Sequence, residues 1–353
     1  MAREAGPVQA QEPRAARLAF RARARDLTAS DVDRARTEER SLFRAWLMRK
    51  TVHLIPSEDA GWLLPLFAPT IVRWSRKRLG DLGLEPGTQQ RALRLIHEVV
   101  EREGPLPRPV LVRRLTDAGF EAATEARYHL WTLATLDGEL CLGPDRDGQA
   151  CLVRTEDWLG KLKRRSREDS LAELARRYLR AYGPATERDL ARWAGLPLRD
   201  GRAGLKRIAA ELGEARVGGE TLLVLGAVPR AAPGPVVRLL GAYDNYNLGY
   251  ASRDFAVPPE HVRRIVPGGG IVRPAIVADG RFIGTWSSKR SSGRLTVSTE
   301  PFARLDPGVA AALEAEVADV GRFEGLKARS GSECDQAGRS RPDVVTTDTG
   351  DAP

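Results

Sequence analysis

One feature constrains the fold of this chain more than any other: two neighbouring segments repeat the same order of elements. In residues 87–160, glycine and proline divide the hydrophobic pattern into three short helices, and two strand-like runs follow them. Residues 161–228 repeat this order and end in a hairpin whose turn is Gly218-Gly219. Three helices followed by a hairpin are typical of a winged helix. The sequence therefore predicts two winged helices in tandem.

The two segments also share anchor positions. Aligning Gly104-Pro105 with Gly183-Pro184 brings Leu111 opposite Leu190. The predicted helices span residues 89–103, 108–118, 122–136, 169–181, 186–193 and 201–212, and the predicted hairpin strands span 139–142, 149–154 and the two halves of 217–225. Thr186 is predicted to cap its helix.

After Leu225 the pattern changes to strands, which predicts a small sheet or barrel and an α+β fold overall. The predicted strands span residues 236–242, 274–278, 281–286 and 294–299, with a hairpin turn at Asp279-Gly280 and a final helix over 301–324. The loop 287–293 carries Lys289 and Arg290. It either inserts into a groove of DNA or is a solvated turn.

The predicted domain boundaries follow from these elements. They are a first winged helix over residues 1–86, a second over 87–160, a third over 161–228, a barrel with a terminal helix over 229–327, and a disordered tail over 328–353.

Charge points to a polyanionic partner. The chain has 56 Lys and Arg against 47 Asp and Glu, a net charge of +9, and nucleic acid is the first partner to consider. Alternatively, 49 arginines reflect a GC-rich genome and solvated Arg/Glu faces. The helix over 121–136 has only Arg127 as a cation, whereas Arg202, Lys206 and Arg207 on the last predicted helix suit phosphates better.

Several classes of protein are excluded. The longest apolar stretch, residues 61–72, contains Pro65 and Pro69 and is shorter than the ~20 residues of a spanning helix. No secretory signal is visible, and the four histidines and three cysteines lack metal-ligand spacing. We therefore expect a cytoplasmic, nucleoid-associated monomer without metal, cofactor or membrane contact.

Five segments carry a family resemblance. They are residues 8–11 (Val-Gln-Ala-Gln), 46–54, 177–186, 242–250 and 280–286. With them the chain resembles, nearly end to end, the winged-helix DNA glycosylases typified by AlkZ and YcaQ. The resemblance implies three winged helices and a β-barrel that form a concave basic surface for duplex DNA. It also implies excision of alkylated bases and unhooking of interstrand crosslinks. The family's catalytic Gln-Φ-Gln signature corresponds to Gln9 and Gln11, with Ala10 between them.

The chemistry of the two glutamines is consistent with that role. Side chains at i and i+2 of an extended segment point the same way, so Gln9 and Gln11 can share one site. A neutral amide takes no proton, but it can orient a water molecule. An N7-alkylated purine is already cationic and leaves readily, so the motif predicts activity on cationic lesions and not on ordinary bases. The alternative is an exposed polar stretch.

Other residues are accessory candidates. Thr51 and His53 alternate on one predicted strand, where His53 either titrates near neutral pH and helps to bind phosphate or is a structural histidine. Asp244 is the second candidate for a functional side chain, as a carboxylate. Alternatively, it caps a turn or pairs with an arginine. In the segment 46–54, Arg49 and Lys50 are candidate DNA contacts.

One departure from the family pattern leaves alternatives open. Gln9 lies eight residues after Met1, whereas family members usually have a further helix before the motif. We therefore expect the first winged helix to be incomplete at its N-terminus. Either the true start codon lies upstream, or the protein has lost part of its catalytic domain and is a non-catalytic DNA-binding protein, such as a transcriptional regulator. A protein-interaction scaffold would show no salt-dependent DNA binding.

Overall fold

The computed structural model describes residues 2–120, 123–146, 148–227 and 235–331. The chain is a mixture of helices and strands, as predicted, and it divides into two compact units. Unit 1 is Met1–Ala16, Ser30–Pro229 and Leu248–Ala251, and unit 2 is Arg17–Ala29, Arg230–Asn247 and Ser252–Pro353. Within the described ranges, no helix combines the length and the apolar character needed to cross a membrane.

The elements of the first 86 residues are α1 (Ala2–Ala5), β1 (Val8–Gln9), α2 (Pro13–Arg21), α3 (Ala29–Thr37), β2 (Leu42–Trp46), β3 (Val52–Pro56) and α4 (Ala60–Asp81). Those of residues 86–160 are α5 (Pro86–Glu103), β4 (Leu106–Pro107), α6 (Arg108–Asp117), α7 (Thr124–Leu133), β5 (Leu140–Arg146), β6 (Gln149–Arg154) and α8 (Thr155–Leu159). Those of residues 161–228 are α9 (Arg167–Tyr182), α10 (Glu187–Ala194), α11 (Leu198–Arg207), β7 (Leu212–Val217) and β8 (Glu220–Leu225).

The predicted order of three helices and a hairpin is present in both repeated segments. Residues 121 and 122, at the start of the third predicted helix, lie outside the described residues. Thr186 caps α10 as predicted, in a capping box with Asp189. The turn of the last hairpin is Gly218-Gly219, where both residues have positive φ.

The core of unit 1 is shared by the three segments. One sheet with the strand order β1-β3-β2-β5-β6-β4 joins the hairpins of the first two segments, and its central pairing is Arg44 with Leu142. Trp62 of the first segment and Tyr178 and Trp193 of the third belong to the same buried cluster as this sheet's apolar side chains. The three segments are therefore packed as one hydrophobic unit.

The remaining elements are β9 (Val237–Leu240), α12 (Asn245–Leu248), α13 (Val262–Ile265), β10 (Ala275–Ala278), β11 (Arg281–Ser291), β12 (Arg294–Pro301), α14 (Pro307–Glu324) and β13 (Lys327–Gly331). In unit 2, five strands form a sheet in the order β13-β12-β11-β10-β9. The predicted turn at Asp279-Gly280 joins β10 to β11, and both of its residues have positive φ.

Three predictions in this region were wrong. The expected loop 287–293 is mostly strand, because β11 continues to Ser291 and pairs with β12 up to the Ser291–Arg294 pair. The final helix begins at Pro307 and not at 301, since Pro301 still pairs with Gly284. The segment 328–353 was predicted to be disordered, but its first residues belong to β13, which pairs in parallel with β12. Residues 332–353 lie outside the described residues.

A buried arginine explains why residues 17–29 belong to unit 2 and not to the expected first domain. Arg21 donates to Glu316 and Asp319 of α14, both at 2.9 Å, and to the carbonyl of Leu239 at 2.7 Å. Its side chain is 1% exposed, so these three acceptors replace lost hydration. The partners lie more than 200 residues away in the sequence, where local patterns give no signal.

The close packing of α11 on α9 gives a stability prediction. A Cβ on Gly204 would lie 2.5 Å from the carbonyl oxygen of Leu171, a backbone atom that cannot move aside. Gly204→Ala should therefore lower the free energy of unfolding by about 1–3 kcal/mol, measured by urea denaturation. The matched control is Gly80→Ala in α4, where nothing lies within 4 Å of the added methyl group. The control should gain up to ~1 kcal/mol from helix propensity. Equal effects of the two variants would contradict the packing argument.

Candidate functional site

The Gln-Ala-Gln segment begins on an edge strand of the six-stranded sheet. β1 pairs antiparallel with β3, which places Val8 opposite Leu54 and Gln9 opposite His53. The amide of Ala10 continues the pairing by donating to the carbonyl of Val52 at 2.8 Å. Pairing with β3 therefore fixes the backbone position of the segment that carries both glutamines.

Aromatic residues of α9 and α10 hold the same segment from another side. The Tyr182 hydroxyl donates to the Ala5 carbonyl at 3.1 Å, and the rings of Tyr178, Tyr182 and Trp193 lie within 5.5 Å of one another. Gly6 has φ +72°, and a Cβ there would lie 3.0 Å from the Trp193 ring. No local sequence pattern indicates these contacts, because they join residues about 180 positions apart.

A chain of directed hydrogen bonds runs through the motif. Arg49 donates through Nη1 to the Trp193 carbonyl and through Nη2 to Oε1 of Gln9, the latter at 3.2 Å. Nε2 of Gln9 then donates to Oε1 of Gln11 at 3.0 Å. The two glutamine side chains therefore meet, as their i, i+2 spacing predicted.

The direction of this chain follows from donor and acceptor chemistry. A guanidinium has only donors, so Gln9 must turn its oxygen towards Arg49 and its nitrogen towards Gln11. Gln11 in turn accepts through Oε1. Gln9 is only 8% exposed whereas Gln11 is exposed, so Gln11 presents the solvent-accessible end of the chain.

Arg49 lies in a strained turn between β2 and β3. Arg49 and Lys50 have φ of 53° and 59°, a left-handed conformation that costs non-glycine residues about 1–2 kcal/mol each. Thr51 closes the turn: its carbonyl accepts from the Leu47 amide at 3.0 Å, and its hydroxyl donates to the Met48 carbonyl at 3.1 Å. Strained backbone of this kind is common at functional sites.

Arg49 fits closely against Gly195, and its guanidinium stays charged although it is largely buried. A Cβ on Gly195, the C-cap of α10, would lie only 2.9 Å from the backbone nitrogen of Arg49. Burial lowers the pKa of the Arg49 guanidinium to about 10, which leaves it charged at neutral pH. Gly195 therefore serves both as a helix end and as a point of close approach.

Burial favours the structural alternative for His53 over titration near neutral pH. The ring is fully buried, and burial together with the charge of Arg49 lowers its pKa to about 3. Nδ1 donates to the Thr51 carbonyl at 2.9 Å, so the proton is on Nδ1 and Nε2 is an acceptor. This Nε2 has no hydrogen-bond partner among the described residues.

Asp244 lies in unit 2 and is engaged by an arginine. Its carboxylate accepts from Arg23 at 2.7 and 2.9 Å and from the Tyr246 amide at 2.8 Å. The residue is 2% exposed. The structure thus places Asp244 in a bidentate ion pair and at a turn, the two roles that the sequence analysis offered as alternatives to catalysis.

Comparison with known proteins assigns the family. The family model for "DNA glycosylase AlkZ-like" matches residues 2–323. The chain belongs to the AlkZ-like DNA glycosylase family. The Interstrand DNA cross-link repair glycosylase of Streptomyces sahachiroi is 30% identical over 314 residues, which cover 81% of this chain and 80% of the relative. The solved structure of Streptomyces sahachiroi DNA glycosylase AlkZ matches with a TM-score of 0.71 and 27% identity over 92% of this chain and 91% of that chain. The resemblance drawn from the motifs is therefore confirmed.

The candidate DNA contacts of this AlkZ-like chain differ in how freely their charges are presented. Lys50 lies over the Trp74 ring at 5.1 Å, Arg202 pairs with Glu187 at 2.7 Å, Arg207 pairs with Asp169 at 3.3 Å, Arg290 pairs with Glu324 at 2.9 Å, and Lys206 and Lys289 are exposed. An exposed ion pair contributes little to stability. Phosphates can therefore compete for Arg202 and Arg207, whose partners are also accessible, but less readily for Arg290, because the Glu324 side chain is buried.

One group in this AlkZ-like chain has donors suited to a metal ion. Among the described residues, only His97, Asp137 and Glu139 place three ligand atoms within 4.8 Å of one another. His97 is already engaged: Nε2 lies 3.0 Å from Asp137 and Nδ1 lies 3.2 Å from Glu139. Only an imidazolium carries a proton on both nitrogens, so the arrangement favours protonated His97.

This group predicts a pH dependence of stability. The hydrogen bond to Asp137 raises the pKa of His97 above its ordinary value of 6.5, with Coulombic attraction adding and burial opposing. The stabilisation is therefore full below pH 6.5 and is lost as the pH rises through the raised value. Urea unfolding of the native protein and of His97→Gln should differ most at about pH 5.5, and the difference should shrink by about pH 9. A difference that does not change with pH would contradict this account.

Proposed function

We propose that this protein is a DNA glycosylase that hydrolyses the N-glycosidic bond of cationic N7-alkylpurines in duplex DNA. The observation that carries the proposal is the directed chain from Arg49 through Gln9 to Gln11, in a member of the AlkZ-like DNA glycosylase family. These hydrogen bonds give the Gln11 side chain a fixed orientation at the exposed end of the network. Gln9 and Gln11 are the proposed catalytic residues.

The two amides act by positioning a water molecule. Oε1 of Gln11 accepts from Gln9 with one lone pair and offers the other to a hydrogen of the water. A water held in this way keeps an oxygen lone pair directed at the anomeric carbon of the sugar. The charge of Arg49 polarises the Gln9 amide and so strengthens the next hydrogen bond. The gain comes from orientation, which can supply much of a barrier reduction.

The charge of the substrate explains why no carboxylate is needed. In an N7-alkylpurine the base carries a positive charge, and breaking the C1′–N9 bond returns its electron pair to the base and makes it neutral. The water oxygen forms the new bond to C1′ and releases its proton to solvent. The products are an abasic sugar and a neutral alkylpurine. An ordinary purine leaves as an anion, so the same site should act on it poorly.

The same residues favour a monofunctional reaction without a metal. A glutamine amide forms no Schiff base, so the abasic strand stays intact until it is treated with alkali. The two neutral amides also offer no anionic ligand to a metal ion. No side chain of the motif is assigned as the proton acceptor, because the attacking water releases its proton to solvent.

Two further parts of the proposal concern the form of the DNA. The repeated order of three helices and a hairpin supports tandem winged helices that hold the duplex, with Arg202, Lys206, Arg207, Lys289 and Arg290 as candidate phosphate contacts. The relative named an interstrand DNA cross-link repair glycosylase supports crosslinked N7-alkylpurines as a second substrate.

Loss of the amides gives the decisive test. Duplexes with one N7-alkylguanine are incubated with the native protein, Gln9→Ala, Gln11→Ala and the control Gln149→Ala, whose glutamine is exposed on β6. The first two variants should lose about a hundredfold or more of the single-turnover rate, because the attacking water is then no longer held in position. The control should keep the native rate.

The readout separates the alternatives. Strand breaks should appear only after alkali, borohydride should trap no covalent complex, and EDTA should leave the rate unchanged. The N7-alkylguanine crosslink is tested in the same way. A protein that binds DNA but makes no abasic sites is a DNA-binding protein of the family, and the proposed reaction would then be wrong.

The buried histidine predicts a flat pH profile. The pKa of His53 is lowered to about 3, first by burial and then by the charge of Arg49, so this ring stays neutral throughout the usual assay range. Arg49 stays charged until the pH approaches about 10. The single-turnover rate should therefore change little between about pH 5.5 and 8.5. An inflection near pH 6.5 that disappears in His53→Asn would contradict this assignment.

A further inference from the structure

A basic pocket lies beside the motif within unit 1. Its volume is about 400 Å³, and it is lined by Arg49, Arg188, Ala191, Arg192, Gly195, Leu196 and Leu198. Three of these seven residues are arginines, and none of them is acidic. Arg188 and Arg192 are exposed, so the pocket is open to a ligand from solution.

The three guanidiniums lack an ion-pair partner among the described residues, although the charge of Glu187 acts on Arg188. In the part of the chain that the structure describes, no carboxylate forms a salt bridge with Arg49, Arg188 or Arg192, although ion pairs are frequent among its other arginines. The acids of α10 are occupied elsewhere. Glu187 pairs with Arg202 at 2.7 Å, and Asp189 accepts from the amides of Thr186 and Ala251, both at 2.8 Å.

This arrangement is unfavourable without an anion. Arg188 and Arg192 are four positions apart on one helix, where like charges repel. The charge of Arg192 also adds to burial in lowering the pKa of Arg49. A bound anion would remove this repulsion. The i, i+4 arginine pair is the one sequence signal that could have indicated the pocket.

The forked, charged donors of the three arginines can form bidentate pairs with the two charged oxygens of a phosphodiester, and the proposed function makes DNA the anion supplied to this pocket. We infer that this pocket binds a backbone phosphate of the DNA strand, next to the nucleotide whose glycosidic bond faces Gln9 and Gln11. The inference rests on the proposed function, which supplies the DNA. Arg49 lines the pocket and also donates to Gln9, so a phosphate there sets the register of the strand relative to the motif.

The test neutralises one phosphate at a time. The probe is a duplex with a tetrahydrofuran abasic analogue, in which single linkages on either side are replaced by uncharged methylphosphonates. Fluorescence anisotropy gives Kd for the native protein, for Arg188→Gln/Arg192→Gln and for the control Arg199→Gln. Arg199 is an exposed arginine on α11 that does not line the pocket. Unchanged unfolding temperatures establish that the variants fold.

The expected result is specific to one linkage. The native protein should lose about tenfold in affinity when that linkage is uncharged, as for loss of charge-assisted hydrogen bonds. The double variant should show this loss already with the unmodified duplex and lose nothing more at that linkage. Its slope of log Kd against log salt should be smaller in magnitude by about one. Arg199→Gln should respond to the linkage as the native protein does.

Other outcomes overturn the inference. If every linkage has the same effect in the native protein and the double variant, the pocket holds no backbone phosphate. A second outcome combines no linkage-specific loss with a rise in unfolding temperature when inorganic phosphate is added to the native protein but not to the double variant. The pocket then binds a free anion and not DNA.

Failure of the inference is separable from failure of the proposed function. Abasic sites formed from N7-alkylguanine, without a linkage-specific loss, would overturn the pocket alone. A linkage-specific loss without abasic sites would overturn the reaction and leave the pocket as a DNA contact.

Discussion

The candidate site depends on one guanidinium that donates hydrogen bonds to two acceptors. Arg49 donates to the carbonyl of Trp193 and to the amide oxygen of Gln9, and so it joins α10 to the motif segment. Because arginine has donors only, this single group decides which way both glutamine amides point. The strained turn that carries it, and the glycine at 195 that gives it room, are consistent with a position kept for function more than for stability.

The packing of the chain serves the same arrangement. The motif segment lies on β3 through main-chain pairing and on Tyr182 and Trp193 through side-chain contacts, so strands of the first segment and helices of the third both determine its position. Neither contact set would hold a two-residue strand alone. Burial in the shared core of unit 1 makes the two sets mutually supportive. Rigid support of this kind is what a positioning mechanism requires.

The electrostatics of the site present an apparent conflict that DNA itself resolves. The proposed substrate is a cationic base, and yet the motif lies beside Arg49 and a pocket with two more arginines. Placing a cationic base near three guanidiniums without ion-pair partners would be repulsive. A backbone phosphate in the pocket would remove most of that repulsion, so binding of the strand would prepare the site for the charged lesion. On this view, neutral amides and a basic surround are parts of one design for damaged DNA.

The sequence by itself determined the local elements and the family. Periodicity, Gly-Pro breaks and turn residues identified the repeated helices, the capping role of Thr186 and both glycine turns, because these depend on neighbours a few positions apart. The pairing of Gln9 with Gln11 followed from i, i+2 spacing for the same reason. Only the tertiary structure decided the partners of Arg49, the neutral state of His53, the ion pairs of Arg21 and Asp244, and the grouping of three arginines. Those properties depend on desolvation and on contacts between residues up to about 300 positions apart, which no local pattern encodes.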